Sequence, residues 1–208
     1  MKKGICYIVG AGEDYGLDFT PDAEDLVIAA DGGLRYLEKA GIPADRVVGD
    51  FDTLGYRPDH PDVVELCPEK DDTDTNVCIK EGLAAGYATF ALYGCAGGRI
   101  EHTIANLQLM TSLAKKGCRV TLHGNGCVLT ALACGTLKLP AREKGFVSVF
   151  SMTDRSEEVT IRGLKYEVEN AVLENTFPLG VSNEFTGKEA SVSVKNGVLI
   201  VVFPKDPA

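Results

Sequence analysis

Near residue 125 the hydrophobic pattern of this 208-residue chain changes period, and one layer of one secondary-structure type cannot accommodate both halves. Before that point, short apolar runs alternate with amphipathic stretches. Ile5 to Val9, Leu26 to Ala30, Val47-Val48, Val63 to Leu66, Thr89 to Tyr93 and Arg119 to His123 read as strands. Several of them are apolar on both faces, as in a sheet covered by helices. Leu34 to Ala40, Thr73 to Ala85 and His102 to Lys116 read as helices, the last with Lys115-Lys116-Gly117 as its stop. Strands and helices in alternation predict a mainly parallel α/β sheet, which binds ligands at the carboxyl ends of its strands.

After residue 125 no helix-length periodic segment remains. Val128 to Ala133, Thr136 to Leu139, Phe146 to Ser151, Glu158 to Arg162, Ser191 to Lys195 and Val198 to Phe203 are β-type runs separated by Gly, Asn, Asp or Pro. Asn196-Gly197 between two alternating runs predicts a tight hairpin. The expected architecture is therefore α/β: a parallel-sheet domain over residues 1–125, then a smaller antiparallel β-sandwich over 126–208. No internal repeat is present.

Composition narrows the partners. Thirty acidic residues against 21 Lys and Arg leave a net charge of −9, and no basic run offers a face for a nucleic-acid backbone. No stretch approaches the ~18 apolar residues of a membrane span. The opening Met1-Lys2-Lys3 resembles the start of a signal peptide only until Glu13 and Asp14 interrupt it. Seven cysteines, an odd number without a C-x-x-C pair, suit reduced thiols better than a disulfide framework or a zinc site. The expectation is a cytoplasmic protein without nucleic-acid or membrane partners.

The acid is concentrated. Between Gly49 and Asp74, nine acidic residues stand against Arg57 and Lys70, so this segment carries most of the net charge. A solvated loop accounts for Asp59, Asp62, Glu65 and Glu69. It accounts less well for Asp50 and Asp52, two carboxylates at i and i+2 where a strand ends, which extended backbone would point to one side. Like charges that close repel unless a cation lies between them, and an oxygen-rich pair favours Mg²⁺. Lys70-Asp71-Asp72-Thr73-Asp74 then enters a helix, where Thr73 or an Asp serves equally as an N-cap. A third segment, Gly94-Cys95-Ala96-Gly97-Gly98-Arg99-Ile100-Glu101-His102, directly follows a strand and opens a helix. Its glycines let backbone N–H groups approach an anion, and Arg99 can fork onto phosphate oxygens. Carboxylates for a metal and donors for phosphate, all at strand ends, point to phosphoryl-type transfer.

Other classes fit less well. Gly10-Ala11-Gly12 with Asp31 imitates a dinucleotide fingerprint, but the third glycine, Gly16, stands one residue late and Pro21 interrupts the required helix. An NAD-dependent oxidoreductase is thus the weaker enzyme reading. A non-catalytic Mg²⁺- or nucleotide-binding sensor and a diphosphotransferase for another primary alcohol are the remaining alternatives. His60, His102 and His123 share no metal-ligand spacing.

Five ordered motifs together resemble the thiamin pyrophosphokinase family: Ala30-Asp31-Gly32-Gly33; Gly49-Asp50-Phe51-Asp52-Thr53; Lys70-Asp71-Asp72-Thr73-Asp74-Thr75; Gly97 to His102 with Ala105-Asn106-Leu107; and Gly180-Val181-Ser182-Asn183-Glu184. The resemblance implies an α/β catalytic domain, a β-sandwich that helps bind thiamin, a homodimer with sites between subunits, and conversion of ATP and thiamin to AMP and thiamin diphosphate. By motif, Asp50, Asp52, Asp74 and Glu101 would hold Mg²⁺. Asp71 and Arg99 would join Asp50, Asp52 and Asp74 in catalysis. Asp31, Gly32, Lys70, Thr73, Gly97, Gly98, Arg99, His102 and Asn106 would line the ATP site, and Ser182 and Asn183 would contact the thiamin pyrimidine. Two departures stand out: the family usually has Asp at Glu101 and often an acidic residue at Asn76.

Overall fold

A computed structural model describes residues 2–67 and 72–205. Its elements run β1 (Cys6–Val9), β2 (Leu26–Ala30), α1 (Gly33–Ala40), β3 (Arg46–Gly49), β4 (Val63–Glu65), α2 (Asp74–Ala84), β5 (Thr89–Tyr93), α3 (Ile100–Lys115) and β6 (Arg119–His123). Six further strands follow: β7 (Cys127–Leu139), β8 (Phe146–Ser151), β9 (Arg155–Arg162), β10 (Val168–Glu174), β11 (Gly180–Glu184) and β12 (Ala190–Pro204). The chain forms two compact units, Met1–Asn106 with Leu122–Asn125, and Leu107–Thr121 with Gly126–Ala208, so the division passes through α3 and β6. The fold is mixed α/β. No helix among the described residues is long and apolar enough to cross a membrane.

In the first unit β5, β1, β2, β3 and β4 lie side by side in that order, every pair parallel. All four residues of β1 are buried, as are the last four of β2 and of β5, which is why these runs are apolar without alternation. Tyr7, Val9, Val27, Ala29, Leu34, Leu37, Val47 and Phe51 form one core cluster. After β1 the chain steps through β2, β3 and β4 to one side and then returns to place β5 on the other. That reversal leaves a crevice at the carboxyl ends of β1 and β5.

Helix ends follow local chemistry. Gly41 takes a left-handed conformation, φ 68°, and its N–H bonds back to Glu38, closing α1. Gly117, φ 77°, does the same for α3, with Cys118 N–H donating to the Leu113 carbonyl at 3.0 Å, as the Lys-Lys-Gly stop predicts.

The second unit is antiparallel and organised on β12. Along one edge β12 pairs with β7 over Ala190–Val194 and again over Val198–Pro204. Along the other edge its first half pairs with β9 and its second half with β8. β10 extends the β9 branch and β11 the β8 branch. Alternate residues of both branches, including Val147, Val149, Val159, Ile161, Val192, Val194, Leu199 and Val201, share one core.

The hairpin expected at Asn196-Gly197 does not form. The chain continues in one direction through β12, and residues 195–197 make a bulge opposite Cys134, where the register shifts between Val194 and Val198. A bulge calls on the same left-handed freedom as a tight turn; here Gly197 has φ 99° and Cys134 φ 46°. Long pairing with β7 on both sides of the bulge outweighs the local turn preference. The two runs expected at Val128 to Ala133 and Thr136 to Leu139 are likewise one 13-residue strand. β10 and β11 had no clear hydrophobic signature, since most of their residues are not buried.

Candidate active site

At the strand ends of the first unit lies a cavity of about 540 Å³, within the range of small-molecule sites. It is lined from β1 by Ala11, Gly12 and Glu13, from β2 by Ala30 and Asp31, and from β3 by Asp50, Asp52 and Thr53. The α2 entrance contributes Asp72 to Thr75, and the segment from β5 into α3 contributes Gly94, Cys95, Gly97, Gly98, Arg99, His102 and Asn106. Gly10 and Gly12 allow this closeness. A Cβ on either would stand 2.7 Å from the Gly94 carbonyl oxygen, so the exits of β1 and β5 can run together only without side chains. No helix follows Gly12, and the dinucleotide geometry is absent from this segment.

Asp31, Asp50 and Asp74 each offer a carboxylate oxygen, all within 4.8 Å of one another. Asp31 is 4% exposed, and its Oδ1 accepts no hydrogen bond from any described group. The buried Asp31 oxygen without a donor is costly unless a cation completes it, and three carboxylates this close suit a hard divalent ion. The Asp31 backbone is left-handed, φ 46°, and a Cβ at Gly49 would stand 3.0 Å from the Asp31 Cβ, so Gly49 makes room for it.

The trio differs from the ion-binding set expected. Asp50 and Asp74 belong to it, and Asp31, assigned above to the nucleotide, takes the third place. Asp52 lines the cavity outside it, because the backbone after β3 is not extended: Phe51 turns left-handed, φ 63°, and is buried in the core. The Asp52 carboxylate accepts the Thr53 hydroxyl at 3.1 Å. Glu101 is also outside the trio and is not among the lining residues; it is exposed and accepts Arg99 Nε at 2.7 Å. That hydrogen bond, first among its influences, lowers the Glu101 carboxyl below its ordinary value.

At the α2 entrance Thr73 is the N-cap, its hydroxyl accepting the Asn76 N–H at 3.2 Å. Asn76 Nδ2 donates to Asp72 Oδ1 at 2.6 Å, and Lys80 pairs with the other Asp72 oxygen. Partial burial raises the Asp72 carboxyl, but the hydrogen bonds from Lys80 and Asn76 outweigh it and hold the group below its usual range. Asn76 thus does the work of a donor where an acid would repel Asp72. Lys70 and Asp71 lie outside the described residues.

The Gly97-Gly98 turn is left-handed at both residues, with φ 77° and 60°, and brings backbone to the cavity at the start of α3. Asn106 is buried and donates to the Cys95 carbonyl at 2.7 Å, holding the turn from below. Gly32 lies beside the cavity at the start of α1 rather than among its lining residues.

Ser182 and Asn183 lie in β11 of the second unit. Ser182 is exposed with φ 60°, and its N–H donates to Ser148 Oγ at 3.1 Å. Asn183 is 5% exposed. Its Oδ1 accepts the N–H groups of Tyr166 and Glu184, both at 2.9 Å, and its Nδ2 donates to the Tyr166 carbonyl at 2.7 Å. This amide secures the Tyr166 backbone, while the Tyr166 ring stays exposed with Lys165 Nζ 5.4 Å from its centroid. Sequence reasoning did not single out Tyr166 or Glu13. A lone tyrosine after a glycine turn carries no periodic signal, and neither does an acid in an irregular loop.

Comparison with known proteins matches two parts of the chain to two models of one family. Residues 20–122 match the family model described as thiamin pyrophosphokinase, catalytic domain, and residues 136–199 match thiamin pyrophosphokinase, vitamin B1 binding domain. A curated relative, the thiamine pyrophosphokinase of Bacillus subtilis (strain 168), is 25% identical over 214 residues, covering 98% of this chain and 100% of its own. The crystal structure of thiamine pyrophosphokinase from Bacillus subtilis superposes with a TM-score of 0.83 at 25% identity, covering 99% of this chain and 100% of that one. Thiamin pyrophosphokinase from Geobacillus thermodenitrificans gives 0.82 at 25% identity, covering 98% and 99%.

Proposed function

The chain belongs to the thiamin pyrophosphokinase family, and from that premise we propose that its cavity transfers the pyrophosphoryl group of ATP to the primary hydroxyl of thiamin. The products are thiamin diphosphate and AMP. The observation that carries this reading is a trio of carboxylates within 4.8 Å, lining the same cavity as a glycine turn and Arg99 at a helix start.

Asp31, Asp50 and Asp74 would hold Mg²⁺, which offsets the charge of the triphosphate when bound. Arg99 and the Gly97-Gly98 backbone donate to phosphate oxygens, aided by the positive end of α3. The thiamin hydroxyl oxygen bonds to the β-phosphorus as the bond from that phosphorus to the α,β-bridging oxygen breaks and AMP leaves. Asp52, lining the cavity outside the trio, accepts the hydroxyl proton. An acidic cavity also suits the fixed positive charge of the thiazolium.

For the second unit we propose the β-sandwich role of thiamin recognition, with Ser182 at the exposed turn of β11 and Tyr166 as an aromatic face for the pyrimidine. Asn183 serves there by positioning Tyr166. The proposed division is a catalytic domain over 1–125 and a thiamin-binding domain over 126–208, in a homodimer. Seven free thiols fit the reducing cytoplasm.

Incubation with Mg-ATP and thiamin, followed by nucleotide and thiamin-ester analysis, tests the reading. AMP and thiamin diphosphate in equal amounts are expected. ADP with thiamin monophosphate would make the protein an ordinary kinase, and ATP bound but not consumed would make it a sensor.

A further inference from the structure

Two of the anion donors at the α3 entrance are engaged by carboxylates of the chain itself. Arg99 Nε donates to Glu101, and the Gly98 N–H donates to Glu13 Oε1 at 3.0 Å. The second Glu13 oxygen accepts the Tyr15 hydroxyl at 2.6 Å. These hydrogen bonds, Tyr15 first and then Gly98, hold the Glu13 carboxyl below its ordinary value and therefore anionic at neutral pH. The fit depends on glycine: a Cβ at Gly97 would collide with the Tyr15 hydroxyl and stand 2.7 Å from the Glu13 carboxyl carbon.

The loop carrying Glu13 is tied down on both sides. Gly12 N–H donates to the Gly94 carbonyl at 2.7 Å, Glu13 N–H to the Ala96 carbonyl at 3.1 Å, and Tyr36 Oη to the Gly12 carbonyl at 2.6 Å. Asp14 pairs with Lys39 at 3.0 Å, and the Phe19 ring stacks on Tyr7 with centroids 4.0 Å apart. Backbone contacts thus deliver the Glu13 carboxylate to the turn, leaving its exposed side chain as the part that can swing away.

We infer that Glu13 is an internal surrogate for a substrate phosphate: its carboxylate occupies the Gly98 N–H until the polyphosphate of ATP displaces it. The inference rests on the function proposed above. A carboxylate and a phosphate oxygen make the same demand on a backbone N–H at a helix start, an acceptor with negative charge. They cannot share one donor without repulsion. The contact therefore lowers ATP affinity, keeps the empty turn in its binding conformation, and makes nucleotide entry an exchange of one anion for another.

Calorimetric titration of the full chain with Mg-ATP, without thiamin, tests this. Glu13→Ala should tighten ATP binding about fivefold, since an exposed charge-assisted hydrogen bond no longer has to be broken. Glu13→Gln, whose neutral amide oxygen still accepts weakly, should tighten it less. Asp14→Asn removes the same charge one residue away and should leave affinity near that of the parent. Unchanged or weaker ATP binding in Glu13→Ala overturns the inference and makes Glu13 a brace for the turn. An equal gain in Asp14→Asn also overturns it, reducing the effect to net charge. Because the readout is affinity, product analysis of the parent protein decides the proposed function separately.

Discussion

In the parallel unit the cavity carboxylates stand just past the strands, Asp31 after β2, Asp50 after β3 and Asp74 at the first residue of α2, whereas in the antiparallel unit Asn183 lies inside β11 and is spent on neighbouring backbone. The first arrangement separates stability from chemistry. Its ladder and core are complete without the acids, which destabilise one another when no cation is present. In the second, one polar side chain builds the fold and, on the function proposed above, also shapes the surface that would meet thiamin. Substitutions in the two units should therefore fail in different ways.

The largest effect belongs to the trio. Asp50→Asn, Asp74→Asn and Asp31→Asn should each lower turnover by about 100-fold or more while leaving the melting temperature level or slightly raised. Asparagine tolerates the left-handed backbone of Asp31, so that variant tests charge rather than conformation. Loss of activity accompanied by loss of fold would erase the contrast between the units.

Next comes Asn183→Ala, which leaves two N–H groups and a carbonyl without their partner. It should cost about 2–3 kcal/mol in urea unfolding and raise the thiamin KM with little change for ATP. A raised thiamin KM at unchanged stability would instead mean that Asn183 touches thiamin directly. Gly197→Ala places a Cβ 2.6 Å from Ser156 Oγ at φ 99°. It should cost about 1–3 kcal/mol without altering either KM, a purely structural loss in the second unit.

The smallest change is expected at Glu101. Its partner in the structure is Arg99, so Glu101→Gln should change turnover by less than about tenfold and leave the Mg²⁺ dependence alone. If Glu101→Gln falls as far as Asp50→Asn, Glu101 joins the ion-binding set and the trio is incomplete without it.

The readable parts of the molecule were those whose cause is local. The two-sided apolar runs of β1, β2 and β5, a capped start to α2, the Lys-Lys-Gly stop of α3 and the glycine turn before it all follow from a few neighbouring residues. So does the presence of acids at strand ends, since loops beyond a parallel sheet need no side chain for the ladder. β10 and β11 were hidden because edge branches with few buried residues lack alternation.

Which acids converge was a different kind of question. Asp50 and Asp52 are neighbours in sequence, yet the backbone between them turns left-handed at the buried Phe51 and only Asp50 joins the trio, while Gly49 opens room for Asp31 from the adjacent strand. Asn196-Gly197 likewise promises a turn by its dihedral freedom, but pairing with β7 on both sides converts that freedom into a bulge. The sequence by itself determined the periods, the caps and the inventory of charged and flexible residues, because these are properties of short segments. Only the tertiary structure decided the carboxylate trio, the Glu13 contact with Gly98 and the internal use of Asn183, because each joins groups from separate elements whose meeting depends on long-range packing and backbone pairing.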